Sequence, residues 1–133
     1  MTKKIINPWT WQDPFGFVQA NEINGVQKML FCAGQVSVDK SGNLIHPGDM
    51  KGQINQIFNN LETILKQAGM QLHDIARITY FTTDVSKFTE PQTAQVLLTR
   101  LGKGSCKPAT SLIGVASLFH PDCVIELEAT AVF

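Results

Sequence analysis

At 133 residues, with 44% hydrophobic and 17% charged side chains, the chain has the composition expected of one globular domain spanning residues 1–133. Eleven Lys and Arg balance eleven Asp and Glu, so no net field draws the protein to nucleic acid or an anionic membrane. Three widely spaced cysteines (Cys32, Cys106, Cys123) imply no disulfide framework. The N-terminal Asn, Pro, Gln and Asp interrupt the apolar run a signal peptide needs, and no stretch approaches the ~20 apolar residues of a membrane span. A cytoplasmic setting without a membrane partner is the expectation.

In chain order, a Pro- and Trp-containing arm comes first. GFVQANEI (Gly16–Ile23) and QKMLFCAG (Gln27–Gly34) then read as two strands around the turn residues Asn24 and Gly25. DKSGN has loop chemistry, and HPGD stands just ahead of a helix. In that helix Ile54, Ile57, Phe58, Leu61, Ile64, Leu65 and Ala68 recur at spacings of three and four, a single apolar stripe closed by Gly69 at the left-handed cap position. IARITYFTTDV is β-branched and aromatic, a third strand. Phe88–Leu101 forms a second helix with Pro91 in its first turn. ATSLIGVAS and CVIELEATAVF are the last strands, joined by the turn-prone FHPD. The order ββαβαββ, with two helices on one face of a mixed sheet, defines an α+β class.

Alternation along the last strand sends Cys123, Ile125, Leu127, Ala129, Ala131 and Phe133 one way and Val124, Glu126, Glu128, Thr130 and Val132 the other. The first set suits packing under helices. The second is too polar for a core and too apolar for open water, which favours a homo-oligomer with clefts at its interfaces. No GxGxxG, GxxxxGK[ST], GxSxG or HExxH occurs, so nucleotide folds, serine hydrolases and zincins lose support. His120 and Cys123, three apart without a second pair, do not make a metal site. The cysteines read as buried small hydrophobes. On residue type alone, Glu126 and Glu128 fit either cross-strand pairing on a surface or acid/base work in a cleft.

Three stretches in fixed order resemble the reactive-intermediate deaminase family, also called YjgF-like or L-PSP endoribonuclease-like. They are AGQ (Ala33–Gln35), Gly48-Asp49 before a helix carrying Gln53, Gln56 and Asn60, and TTD ahead of Phe88. Ala68-Gly69 and the closing KPATSLIGVASL…VIELEATAVF complete the likeness, which covers the chain from Phe15 onward. The resemblance implies a chorismate-mutase-like fold assembled as a homotrimeric barrel with ligand clefts between subunits. It also implies hydrolysis of 2-imino or 2-enamino acids to 2-oxo acids and ammonia, with no cofactor and no metal.

In active members of that family an Arg clamps the substrate carboxylate and a Glu positions the attacking water. Glu126 matches the Glu, whereas Thr110 stands where the Arg should be. A hydroxyl offers neither charge nor a bidentate fork, a loss of about 2–5 kcal/mol for a desolvated anion. Phe17 replaces a common Tyr, Ala33 a common Ser, and the FHPDC turn is one residue longer than usual. The residues expected to contact a small-molecule ligand are Phe17, Ala33, Gly34, Thr110, Ser111 and His120, with Glu126 as the catalytic group. The expected function is hydrolysis of an enamine or imine lacking the amino-acid carboxylate. The alternative is a non-catalytic small-molecule-binding trimer. Endoribonuclease or translation-inhibitor activity ranks third, because basic residues are sparse and do not interleave with aromatics.

Overall fold

The computed structural model describes residues 1–133. Strands β3 (Met29–Phe31), β6 (Ile125–Val132), β4 (Ile75–Thr82) and β5 (Ala109–Gly114) lie side by side in that order. β6 runs antiparallel to both β3 and β4, while β5 runs parallel to β4, so the sheet is mixed. Helices α1 (Met50–Gln67), α2 (Val85–Phe88) and α3 (Pro91–Lys103) supply the core that covers one face. The α+β class read from the sequence is the class observed.

α1 forms because its apolar residues share a stripe and its first turn is capped: the Asp49 side chain accepts from the Gly52 N–H. Ile54, Ile57, Phe58, Leu61 and Leu65 are buried, and Ile64 and Ala68 are partly so. Gly69 at φ 71° ends the helix in the left-handed region, where any side chain would be strained. Beneath α1 lie Ile78 and Tyr80 of β4 and Ile125, Leu127, Ala129 and Ala131 of β6, all in one buried cluster. These are the alternate residues that strand periodicity assigns to the helix side. Phe133, assigned to the same set, is instead half exposed beyond the end of β6, with the Lys28 ammonium over its ring at 5.9 Å.

The motif glutamines of α1 hold loops in place. Gln53, fully buried, donates through Nε2 to the carbonyls of His46 and Asp122 and accepts from the Val124 N–H through Oε1. Gln56 donates to Asn60 Oδ1, and Asn60 donates to the Val38 carbonyl at 2.9 Å. These side chains pin the segment before α1 and the turn before β6 to the helix, satisfying backbone groups that the sheet does not reach.

Four local expectations are corrected. The segments on either side of Asn24-Gly25 do not pair with each other. β2 (Ala20–Asn24) pairs with β1 (Thr2–Ile6), a strand in the segment expected to be an arm, while β3 joins the main sheet. A short strand has no preference among partners until the tertiary fold supplies an edge. The expected helix Phe88–Leu101 is two helices, since Pro91 starts α3 and Glu90 before it takes extended geometry (ψ 145°). Lastly, β5 and β6 are not a hairpin: each flanks β4 on its own side. The connection from β4 through α2 and α3 to β5 is the crossover that a parallel pair requires.

Candidate functional site

The register of the sheet decides which candidate side chains can meet. Thr110 pairs with Ile78 and Leu112 with Tyr80, so both β5 residues lie on the helix side. Glu126 pairs with Phe81, Glu128 with Thr79 and Thr130 with Arg77, and these lie on the opposite, uncovered side. Thr110 and Glu126 therefore occupy opposite faces of one sheet within a protomer. Ser111, next to Thr110 on the strand, must also face away from it. It lies on the open face, where its Oγ accepts from Arg77 Nη2 at 3.3 Å.

On the helix side, an open cavity of about 230 Å³ lies between β5 and the apolar face of α3. Phe15, Phe17, Tyr80, Phe88, Thr110 and Leu112 contribute to its wall, and no charged residue lines it. β5 is an edge strand here. The chain at Val18 runs alongside its start, with the Val18 N–H donating to the Pro108 carbonyl, and this brings Phe15 and Phe17 to the mouth. Tyr80 and Phe88 pack with ring centroids 5.2 Å apart. The Thr89 hydroxyl donates back to the Val85 carbonyl, whereas the hydroxyls of Tyr80 and Thr110 have no protein partner. Phe17 and Thr110, two of the residues named from the sequence, thus line one cavity.

On the open face, the Glu126 carboxylate is half-buried and has neither an ion-pair nor a hydrogen-bond partner. Burial pushes its pKa above the usual carboxylate value, and the neighbouring Glu128 charge adds to the rise. Gly34 lies against it: a Cβ there would sit 2.8 Å from Glu126 Cδ and Oε2. Ala33 is exposed beside it and accepts at its carbonyl from Gln35 Nε2. The sheet around Glu126 leaves Met29, Phe31 and Ile113 exposed at 51%, 74% and 43%. His120 does not line the helix-side cavity; it lies in the turn before β6, where its Nδ1 accepts from the Asp122 N–H.

Sequence reading missed Tyr80, Phe88 and Leu112 as cavity residues. Tyr80 sits in an apolar strand whose pattern signals only burial, and nothing in a linear string marks an unpartnered hydroxyl. The separation of Thr110 from Ser111 was available, since neighbours on a strand cannot share a face. No group of three or more His, Cys, Asp or Glu side chains is placed to hold a metal ion. No helix is long and apolar enough to cross a membrane.

The α+β domain thus carries a charge-free cavity under its helices and, on its open sheet face, a carboxylate without a partner. The family model for Endoribonuclease L-PSP matches residues 14–133. A RutC family protein of Aquifex aeolicus is 33% identical over 117 residues, 87% of each chain. The 2-iminobutanoate/2-iminopropanoate deaminase of Escherichia coli K12 is 34% identical over 106 residues, 78% of this chain and 79% of that one. Among solved structures, a Rid-family protein of unknown function from Yersinia pestis superposes with a TM-score of 0.83 at 32% identity over all of both chains. The chain belongs to the L-PSP endoribonuclease family, the RutC, YjgF and RidA-like proteins.

Proposed function

We propose that the protein hydrolyses an enamine or imine to a carbonyl product and ammonia, at a site shared between protomers of a cytoplasmic homotrimer. The observation that carries the reading is Glu126, a half-buried carboxylate without a partner, packed against Gly34 on an otherwise uncovered sheet face. A carboxylate left unsatisfied in partial burial is costly unless a substrate or water uses it. Its raised pKa brings it closer to neutrality, which suits a group that takes a proton from water and returns it to a leaving amine.

The assembly follows from two features. Met29, Phe31 and Ile113 give the open face an apolar content that other copies would cover. Thr110 and Glu126 point away from each other within one protomer, so a cleft using both takes the Thr110 wall from one protomer and the Glu126 face from its neighbour. Water positioned by Glu126 adds to the imine carbon, and the tetrahedral adduct collapses with loss of ammonia. Without an Arg in the wall, the substrate is one lacking the amino-acid carboxylate. The Escherichia coli deaminase supports the reaction class at the level of the family.

The test is ammonia release from neutral ketimines and from imines of ordinary amino acids, against the Glu126→Gln variant. Turnover of a neutral imine at least tenfold above that variant is expected. Equal rates for the two proteins on every imine would remove the reading and leave a non-catalytic binding protein, which the uncharged cavity also favours.

A further inference from the structure

We infer that the helix-side cavity selects an uncharged aryl or bulky alkyl ketimine, and its ketone product, through a hydrogen bond donated by the Tyr80 hydroxyl. This rests on the cavity being the ligand site of the proposed reaction, and it assigns a specificity-determining role to a residue not otherwise used in it.

Tyr80 is 6% exposed and lines the cavity, yet its hydroxyl donates to no protein atom. The two fully buried side-chain polar atoms without a partner are Asn21 Oδ1 and Arg100 Nε, so the Tyr80 oxygen, unpaired within the protein, opens onto the cavity it lines, where a ligand acceptor can take the place of water. The Thr89 hydroxyl, also in the cavity wall, is by contrast turned back onto its own helix, donating to the Val85 carbonyl at 3.0 Å. Burial pushes the Tyr80 pKa well above the usual phenol value, so the group stays a donor at every working pH. Thr110, from the neighbouring strand, brings a second hydroxyl without a protein partner to the same space.

The rest of the wall sets the ligand's character. Eight of the ten lining residues are hydrophobic, and Phe15, Phe17 and Phe88 present aromatic surface. The volume, about 230 Å³, exceeds the roughly 150 Å³ that accommodates benzene in an apolar protein cavity. A carboxylate entering here would lose its water and meet no cation. A carbonyl oxygen or imine nitrogen would accept from Tyr80 while its substituents fill the apolar remainder. The reaction balances as R₂C=NH plus water giving R₂C=O plus ammonia, so substrate and product each carry one such acceptor.

Acetophenone, a neutral aryl ketone, and phenylpyruvate, an anionic one, separate the possibilities in titration calorimetry on the full-length assembled protein. Acetophenone is expected to bind and phenylpyruvate to bind at least tenfold more weakly. Tyr80→Phe should weaken acetophenone about fivefold, the equivalent of one neutral hydrogen bond, with the unfolding midpoint near that of the wild type. If Tyr80→Phe does not fold, Leu112→Trp replaces it, a bulky residue at the rim that should abolish acetophenone binding. No acetophenone binding, equal affinity for phenylpyruvate, an unchanged Tyr80→Phe affinity, or undiminished binding by Leu112→Trp each overturns the inference. Binding as expected without turnover of the matching ketimine would instead sink the deaminase reading and leave this one standing.

Discussion

Thr110 and Glu126, the two residues that matter most to the proposed chemistry, face opposite sides of the same sheet. Thr110 shares a row with Ile78 under the helices, and Glu126 shares one with Phe81 on the open side. Any reaction using both needs two copies of the chain. It follows that Thr110→Arg changes specificity only in the assembled protein. The variant is expected to raise turnover of carboxylate-bearing imines by tenfold or more, since a guanidinium restores a charge-assisted, bidentate contact. Ammonia release from the imine of alanine, compared with a neutral ketimine, measures it. No gain would mean that the Thr110 wall does not meet the substrate's carboxyl end.

Gly34 is expected to be needed for a reason unrelated to backbone freedom. A Cβ placed 2.8 Å from the Glu126 carboxylate would push that carboxylate aside. Displacement of a catalytic group by about 1 Å costs on the order of 100-fold in rate. Gly34→Ala should therefore lose about two orders of magnitude in Glu126-dependent turnover, while stability moves by no more than about 0.5 kcal/mol, as at other exposed sites. Steady-state kinetics beside urea unfolding distinguishes the two effects.

The raised Glu126 pKa carries a stability prediction with a definite sign. The folded protein holds the proton more tightly than the unfolded chain, so the charged form is the disfavoured one in the fold. The penalty is absent below the ordinary carboxylate range and fully present once pH exceeds the raised folded value. Glu126→Gln should raise the unfolding midpoint at pH 7, and that advantage should fade as pH falls toward about 4. A difference that grew on acidification would mean that Glu126 is held by a favourable partner instead.

Gln53→Leu should be among the most damaging single substitutions in the chain. It removes one of two donors from each of the His46 and Asp122 carbonyls, which keep the Asp49 and Gly48 N–H groups, and leaves the Val124 N–H without its partner. A loss of about 2–3 kcal/mol is expected, set mainly by the unpaired Val124 N–H because both carbonyls keep a backbone donor. Equilibrium urea denaturation provides the number.

Cys106 is 2% exposed, and burial pushes its thiol up to about 12, with Lys3 and Lys107 only partly offsetting the rise. Cys123 is buried and Cys32 half-buried, and desolvation raises both thiols as well. At pH 8 a disulfide reagent should thus modify the native protein far more slowly than the protein in guanidinium, with Cys32 reacting first. Rapid modification of Cys106 without unfolding would contradict its packing.

What could be read directly was whatever one element determines by itself. The stripe from Ile54 to Leu65 and the cap at Gly69 follow from helical period and backbone sterics, and the inward set Ile125, Leu127, Ala129 and Ala131 follows from strand alternation. The order of residues around Ala33-Gly34-Gln35, Gln53 and Glu126 was enough to place the chain in its family. Partner choice was another matter. That β2 pairs with β1, that β4 lies between β5 and β6, and that Thr110 and Glu126 part to opposite faces all depend on pairings between distant segments. Strand propensity is nearly blind to such pairings, because one short β-rich segment fits many edges and only the shared core under α1 selects among them. The unpartnered Tyr80 hydroxyl belongs to the same class of facts. Whether a polar atom is satisfied depends on what folding brings beside it, and that is settled in three dimensions.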